Sequence, residues 1–170
     1  LLIKLVFNHR FKKAGIIHGK NCSIGKDVKN LWGRAKIIIG DNVIIHSGVT
    51  FGGDGTIEIS NNTSIGANTW MYVSKEAGIK IGSFTPLGPF CFLIDSDHGI
   101  KKDIYIEKQN KTFGKIIIGD DCWIGTHVTV LKNTILSNHC VAGAMTLLNK
   151  NHAENSIIGG VPGKIIKTRQ

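Results

Sequence analysis

The stretch from Ile118 to Leu147 repeats every six residues, and that period limits the fold more than any other property of the chain. It divides into IGDDCW, IGTHVT, VLKNTI, LSNHCV and AGAMTL, opening on Ile118, Ile124, Val130, Leu136 and Ala142. A helix repeats every 3.6 residues and a strand every two, so neither accommodates a period of six. A chain that runs straight, turns a corner and repeats does accommodate it. Gly, Asn, Asp and Ser suit such corners because they tolerate positive φ or bond their own backbone. The leading aliphatic then always points inward. Three faces close a coil of about 18 residues, and coils stack at the strand spacing of ~4.8 Å. One coil alone cannot bury its apolar edge, so the stack is the stable unit. The expected fold class is all-β, a parallel β-solenoid.

Composition agrees with a narrow interior. The chain has 21 Gly against 3 Pro, and only 7% of its residues are aromatic. At 170 residues it suits one domain. The net charge of +9 asks for an anionic partner: nucleic acid, an acidic polymer or a phosphorylated cofactor. The lysines are spread out, with no Arg-rich tract or aromatic-studded basic strand, which argues against nucleic acid. Cys22, Cys91, Cys122 and Cys140 form no CxxC and have no metal-ligand spacing, so no metal is expected. Cys22, Cys122 and Cys140 fall in hexad contexts and read as reduced packing residues. No apolar run approaches the ~18 residues of a membrane span. The opening LLIKLVFNHRFKK is too short and too interrupted for a secretory signal, which makes the cytoplasm the default location.

In chain order, residues 1–17 are expected to cap the first coil, with Leu2, Leu5 and Val6 at helical spacing. The basic, apolar character of residues 1–13 offers contact with a membrane surface as a second reading. Coils are expected over 18–94 and 116–150, with inward residues Ile39, Ile45, Phe51, Ile59, Ile65, Met71, Ile81, Leu87 and Leu93. FGGDGT interrupts the register as a bulged corner; it is not a nucleotide-binding loop, since no GK[ST] follows. A second offset falls around Lys75 to Ile79, and residues 95–115 abandon the pattern altogether. A long irregular excursion from a regular scaffold is where function tends to sit. Residues 151–170 form a C-terminal segment.

The excursion opens with Asp95-Ser96-Asp97-His98-Gly99. A histidine where a rigid scaffold meets a loop suits general-base chemistry, because an imidazole ordinarily titrates near neutrality. A neighbouring carboxylate fixes its tautomer and stabilises its charged form. Asp95 is the expected orienting group and Asp97 its competitor. His127 and His139 occupy non-leading hexad positions on outer faces, and His46 and His152 have no apparent partner.

The hexads, the DxxHG at Asp95 to Gly99, CWIGTHVTVL and the ending Ile158-Gly159-Gly160-Val161-Pro162-Gly163-Lys164 together resemble the hexapeptide-repeat acetyltransferases. The resemblance covers roughly residues 20–168 and implies a left-handed parallel β-helix; the hand comes from the family. It also implies transfer from acetyl-CoA, with His98 as general base and active sites between the subunits of a homotrimer. Carried over position by position, Thr126 takes the place of a CoA-contacting Ser. Ala144 is the small residue beside the pantetheine arm, and Asn149 and Lys150 stand for a Thr-Lys pair. Lys164 and Lys167 are basic positions near the nucleotide, and Trp123 walls the acetyl end. Tyr72 and Asp97 are the acceptor-binding candidates, although Met71-Tyr72 replaces an Ile-Asn pair of many relatives. DSDHGI and the absence of a large extra domain favour a sugar hydroxyl, on a bacterial surface polysaccharide or its precursor. An amino-sugar nitrogen, a serine or an antibiotic hydroxyl belong to the same chemistry. A β-helical carbonic anhydrase would need an HxxxxH pair that is absent, and an ice-binding solenoid would need regular Thr ranks. A non-catalytic scaffold would bind no CoA.

Overall fold

The computed structural model of the chain describes residues 2–170, with side chains described for 6, 7 and 9–170. Strands recur on three faces in fixed rotation, and within each face they pair in parallel with the coil above and below. The first face carries Ile16–His18, Lys36–Ile39, Thr56–Ile59, Ile79–Ile81, Ile116–Ile118 and Ile135–Leu136. The third carries Lys29–Asn30, Thr50–Gly53, Trp70–Val73, Phe92–Ile94, Thr129–Leu131 and Leu147–Leu148. The second face is split. Ser23–Ile24, Ile44–Ile45 and Ser64–Ile65 lie below Trp123–Ile124, Val141–Ala142 and Ser156–Gly159, joined only by bridges from Leu87 to Ile65 and Ile124. Pro86 precedes Leu87 and has no N–H to give the neighbouring coil, which reduces that strand to a bridge. The coils thus run from Ile16 to Gly159, wider than the expected 18–150.

Each hexad buries two side chains. The expected aliphatics Ile39, Ile45, Phe51, Ile59, Ile65, Met71, Ile81, Leu87, Leu93, Ile118, Ile124, Val130, Leu136 and Ala142 are all interior. Two residues before each comes a second, usually small, inward residue, among them Val43, Thr63, Thr85, Cys122 and Cys140. The polar members of this set bond the next coil. Thr63 Oγ1 donates to Gly82 O at 2.9 Å, Thr85 Oγ1 to Gly119 O at 2.8 Å, and the Cys122 and Cys140 thiols to Ser137 O and Ala153 O at 3.2 and 3.1 Å. All four cysteines are free, and burial pushes the Cys122 thiol up to about 11, away from nucleophilic use.

The first two corners of every coil are tight, with their last corner residue left-handed: Asn42, Asn62, Asn68, Asp121, His127, His139 and Met145 all have φ near +60°. The third corner, between third and first faces, absorbs the length variation. It holds 31–35 in the first coil, 54–55 in the second, 74–78 in the third and 95–115 in the fourth. The two offsets and the excursion read from the sequence therefore lie on one edge of the prism.

A helix, Leu2–Ala14, covers the open first coil. The side chains of Leu2 and Leu5 lie outside the described residues, and Val6 faces solvent rather than the coil. Phe7, Phe11 and Ala14 pack inward instead, with Phe11 stacked on His18 at 4.2 Å between centroids. Arg10 Nη1 donates to Ile24 O at 3.1 Å. No helix among the described residues is long and apolar enough to cross a membrane.

Candidate active site

His98 stands exposed where the fourth coil gives way to the excursion. Ser96–Asp97 pairs antiparallel with Thr112–Phe113, so the loop leaves and rejoins the coil as a small ribbon. Its tip is knotted by one amide. Gln109 Oε1 accepts from Lys101 N at 2.7 Å, while Nε2 donates to the carbonyls of Lys101 at 3.1 Å and Ile104 at 2.8 Å. Beside this knot lies an open cavity of about 590 Å³, lined in part by Gly99, Ile100, Ile104 and Lys111.

Asp95 is fully buried and serves the backbone rather than the imidazole. Its oxygens accept from Ser74 N at 3.0 and 2.9 Å and from Gly78 N at 2.9 Å, and its own carbonyl accepts Gly114 N at 2.9 Å. Burial raises this carboxyl above its ordinary range, against the lowering effect of those N–H groups. The expectation that Asp95 orients His98 is corrected here: the oxygens are committed to the corner one coil below, and no carboxylate bonds the His98 ring among the described residues. Asp97 is half exposed and meets Lys132 Nζ at 3.6 Å, which ties the ribbon to the fifth coil. No motif or spacing marks Lys132 in advance.

Tyr72 lies on the outer side of the third face, in register with Ile94, the residue preceding Asp95. Its ring meets Trp32 edge-on, with centroids 6.4 Å apart. Trp32 was not singled out from the sequence.

The residues matched to the CoA cleft fall into two groups. On the second face Trp123, Val141 and Ile157 share one column, and Lys167 extends it through the antiparallel strand Lys164–Thr168. Trp123 is well exposed. At the adjoining corner Thr126 Oγ1 donates to Pro89 O at 2.9 Å and contacts His127 Nδ1 at 2.8 Å, and His127 stacks on Phe90 at 4.9 Å. Ala144 lies one coil above, its N–H the nearest atom to any Cβ placed on Gly125. Lys164 begins the last strand opposite Gly159. Asn149 and Lys150 follow the third face of the last coil, across the prism from Trp123, both exposed.

Two further histidines have surroundings that their hexad positions leave open. His139 Nδ1 lies 2.9 Å from Asp121 Oδ2, with Glu154 at 3.6 Å from Nε2, and Arg169 reaches the same Asp121 oxygen at 2.9 Å. The His139 hydrogen bond, followed by Arg169, holds Asp121 below the usual carboxylate range. His152 is buried, with Nε2 unpartnered, and burial lowers its pKa. Among the described residues no three His, Cys, Asp or Glu side chains gather as metal ligands.

No model of a known protein family matches the chain. It is similar to WbbJ of Escherichia coli, named as a lipopolysaccharide biosynthesis O-acetyl transferase, at 29% identity over 87% of this chain and 80% of WbbJ. It is also similar to AntD, an N-acyltransferase from Bacillus cereus. AntD in complex with dTDP and 3-hydroxybutyryl-CoA superposes with a TM-score of 0.80 at 26% identity, over 96% of this chain and 88% of AntD. A variant form holding dTDP-4-amino-4,6-dideoxyglucose and coenzyme A gives 0.83 at 25% identity, over 96% and 89%. The polySia-specific acetyltransferase NeuO shares the fold, with a TM-score of 0.57 at 21% identity over 91% and 83%. With its stacked hexads folded as a left-handed parallel β-helix, the chain is similar over most of its length to acetyltransferases and acyltransferases of that fold.

Proposed function

We propose that the chain transfers an acetyl group from acetyl-CoA to a sugar hydroxyl of a bacterial surface polysaccharide or its precursor, with His98 as general base. The observation that carries this reading is an exposed histidine on the rim of a rigid coil, at the root of a knotted loop. The imidazole takes the hydroxyl proton as the oxygen attacks the thioester carbonyl. The C–S bond then breaks, and the proton passes to the departing CoA sulfur. No nucleophile on the protein is needed, because two positioned substrates and one base supply the acceleration.

Trp123, Thr126, Ala144, Lys164 and Lys167 form the CoA side of this reading, with Asn149 and Lys150 across the prism from Trp123. CoA carries a pyrophosphate and a 3′-phosphate, which suits the lysines. CoA in the AntD complexes and the acetyl transfer named for WbbJ support acyl-CoA as donor. Asp97 and Tyr72 flank the acceptor. Asp95 is a positioning residue, holding the corner from which His98 departs. The two groups of CoA residues lie on different faces, which favours a cleft completed by a neighbouring subunit, hence a homotrimer. A donor supplied as acyl-CoA favours the cytoplasm.

An amino-sugar nitrogen is the second reading, favoured by the dTDP-amino-sugar that AntD holds. Release of CoA thiol across hexose oligosaccharides, nucleotide sugars and dTDP-amino-sugars, with His98→Ala alongside, separates them. Ester formation lost by about 10²–10⁴-fold in His98→Ala supports the proposal. Turnover only with amines, or full activity in the variant, overturns it.

A further inference from the structure

Trp32 occupies a position that its own backbone disfavours. In the turn Leu31–Gly33 it takes φ 62°, ψ −2°, and Gly33 follows at φ 62°. Two successive left-handed residues call for Asn-Gly, because a bulky side chain there is strained. The strain is not offset by burial: the indole is 69% exposed. The turn itself is fixed, since Asn30 Nδ2 donates to Ala35 O at 2.9 Å across its base. The indole is thus held outward on a rigid mount.

Its surroundings are shaped to receive it. The edge of the Tyr72 ring lies against it, two coils up. Between them is Gly52, where an added Cβ would stand 3.3 Å from the Tyr72 ring and 3.8 Å from the Trp32 indole. A methyl group there would touch the indole and press the Tyr72 ring aside by a few tenths of an ångström. Trp32 also stands on the variable edge of the prism, the edge that carries the excursion. Tyr72 is one coil below Ile94, so the turn that carries Trp32 stands three coils, roughly 14 Å, along the stack from the root of the His98 loop.

We infer that Trp32 and Tyr72 form a saccharide-binding subsite for a sugar ring remote from the one acetylated, so that the acceptor is an extended glycan rather than a single sugar. The inference rests on the sugar acetyl-transfer reading above. An apolar pyranose face packs on a flat, exposed indole, and a fixed ring loses little entropy on contact. A sugar seated there, up to three coils from the loop, belongs to the same chain as the reacting unit only if that chain runs along the prism.

The test compares wild type, Trp32→Ala, Trp32→Phe and Gly52→Ala, using acetyl-CoA with methyl glycosides of common hexoses and with linear oligosaccharides of the same sugars. For oligosaccharides Trp32→Ala is expected to raise KM roughly three- to tenfold with kcat retained, and Trp32→Phe to recover most of the loss. Gly52→Ala should act in the same direction as Trp32→Ala. For methyl glycosides wild type, Trp32→Ala and Trp32→Phe should behave alike. Equal KM for wild type and Trp32→Ala on oligosaccharides overturns the subsite while leaving the acetyl-transfer reading intact. A loss equal for long and short acceptors overturns it as well, as does a change of oligomeric mass in Trp32→Ala, which would assign the indole to a contact between copies. Failure of the wild type to acetylate any saccharide overturns the underlying reading and the subsite with it.

Discussion

At the scale of single residues, the fourth coil separates two acidic positions that lie two apart in sequence. Asp95 points inward and satisfies backbone donors, while Asp97 stays on the surface with Lys132. Asp95→Ala should destabilise the chain by about 1–3 kcal/mol, because buried N–H groups of Ser74 and Gly78 lose their acceptor; urea unfolding measures this. His152 makes a different residue-scale prediction. Burial, reinforced by Lys150, keeps its folded pKa below the ordinary 6.5, so the unfolded chain takes up that proton first as pH falls. Stability contributed here is whole above 6.5 and is lost as pH falls toward the folded value. Denaturation midpoints at pH 7.5 and 5.5 should therefore differ less in His152→Leu than in wild type. His98 was legible because it directly follows a coil, and its position is a matter of counting hexads. The commitment of Asp95 was not, since its donors lie 17 and 21 residues away in sequence and meet it only once coils stack.

At the scale of elements, the coil-to-coil rungs formed by small polar side chains were hidden in the hexad pattern. Cys122 reads as a packing residue from its hexad context, but nothing in a period of six marks Thr85 as inward. Thr85 Oγ1 both donates to Gly119 O at 2.8 Å and accepts Cys122 N at 3.0 Å, so it stitches the fourth coil to the fifth. Thr85→Val keeps the shape and orphans both partners, for an expected loss of about 1–3 kcal/mol by chemical denaturation. The excursion is stabilised differently. Its ion pair Asp97–Lys132 is partly exposed and contributes little. Gln109 closes the tip through three backbone contacts, so Gln109→Ala should speed limited proteolysis between 99 and 112 while leaving the thermal midpoint nearly unchanged. The terminal helix shows the limit of reading periodicity in a short segment: Val6 faces solvent, and Phe7, Phe11 and Ala14 are the described residues that pack on the first coil.

For the whole molecule, the interior is continuous from Phe11 to Ile158, and each layer rests on its neighbours. The outside is less evenly apolar. Trp70 and Phe92 stand in register on the third face, and Phe84, Phe90 and Met145 project from left-handed corners where Asn usually sits. Apolar surface of this extent fits the proposed assembly, and light scattering should return three times the 18.5 kDa chain mass. A mass of one chain would remove the shared cleft.

The confinement of every irregular turn to the third corner has a consequence for how such a chain changes over time. Segments exchanged at 31–35, 54–55, 74–78 or 95–115 leave the inward ladder and the two tight corners untouched. Recognition can then be rewritten along one seam while the scaffold and donor side are inherited intact. Foreign peptides spliced into that seam should be tolerated where the same graft at Asn42 or His127 would derail the winding.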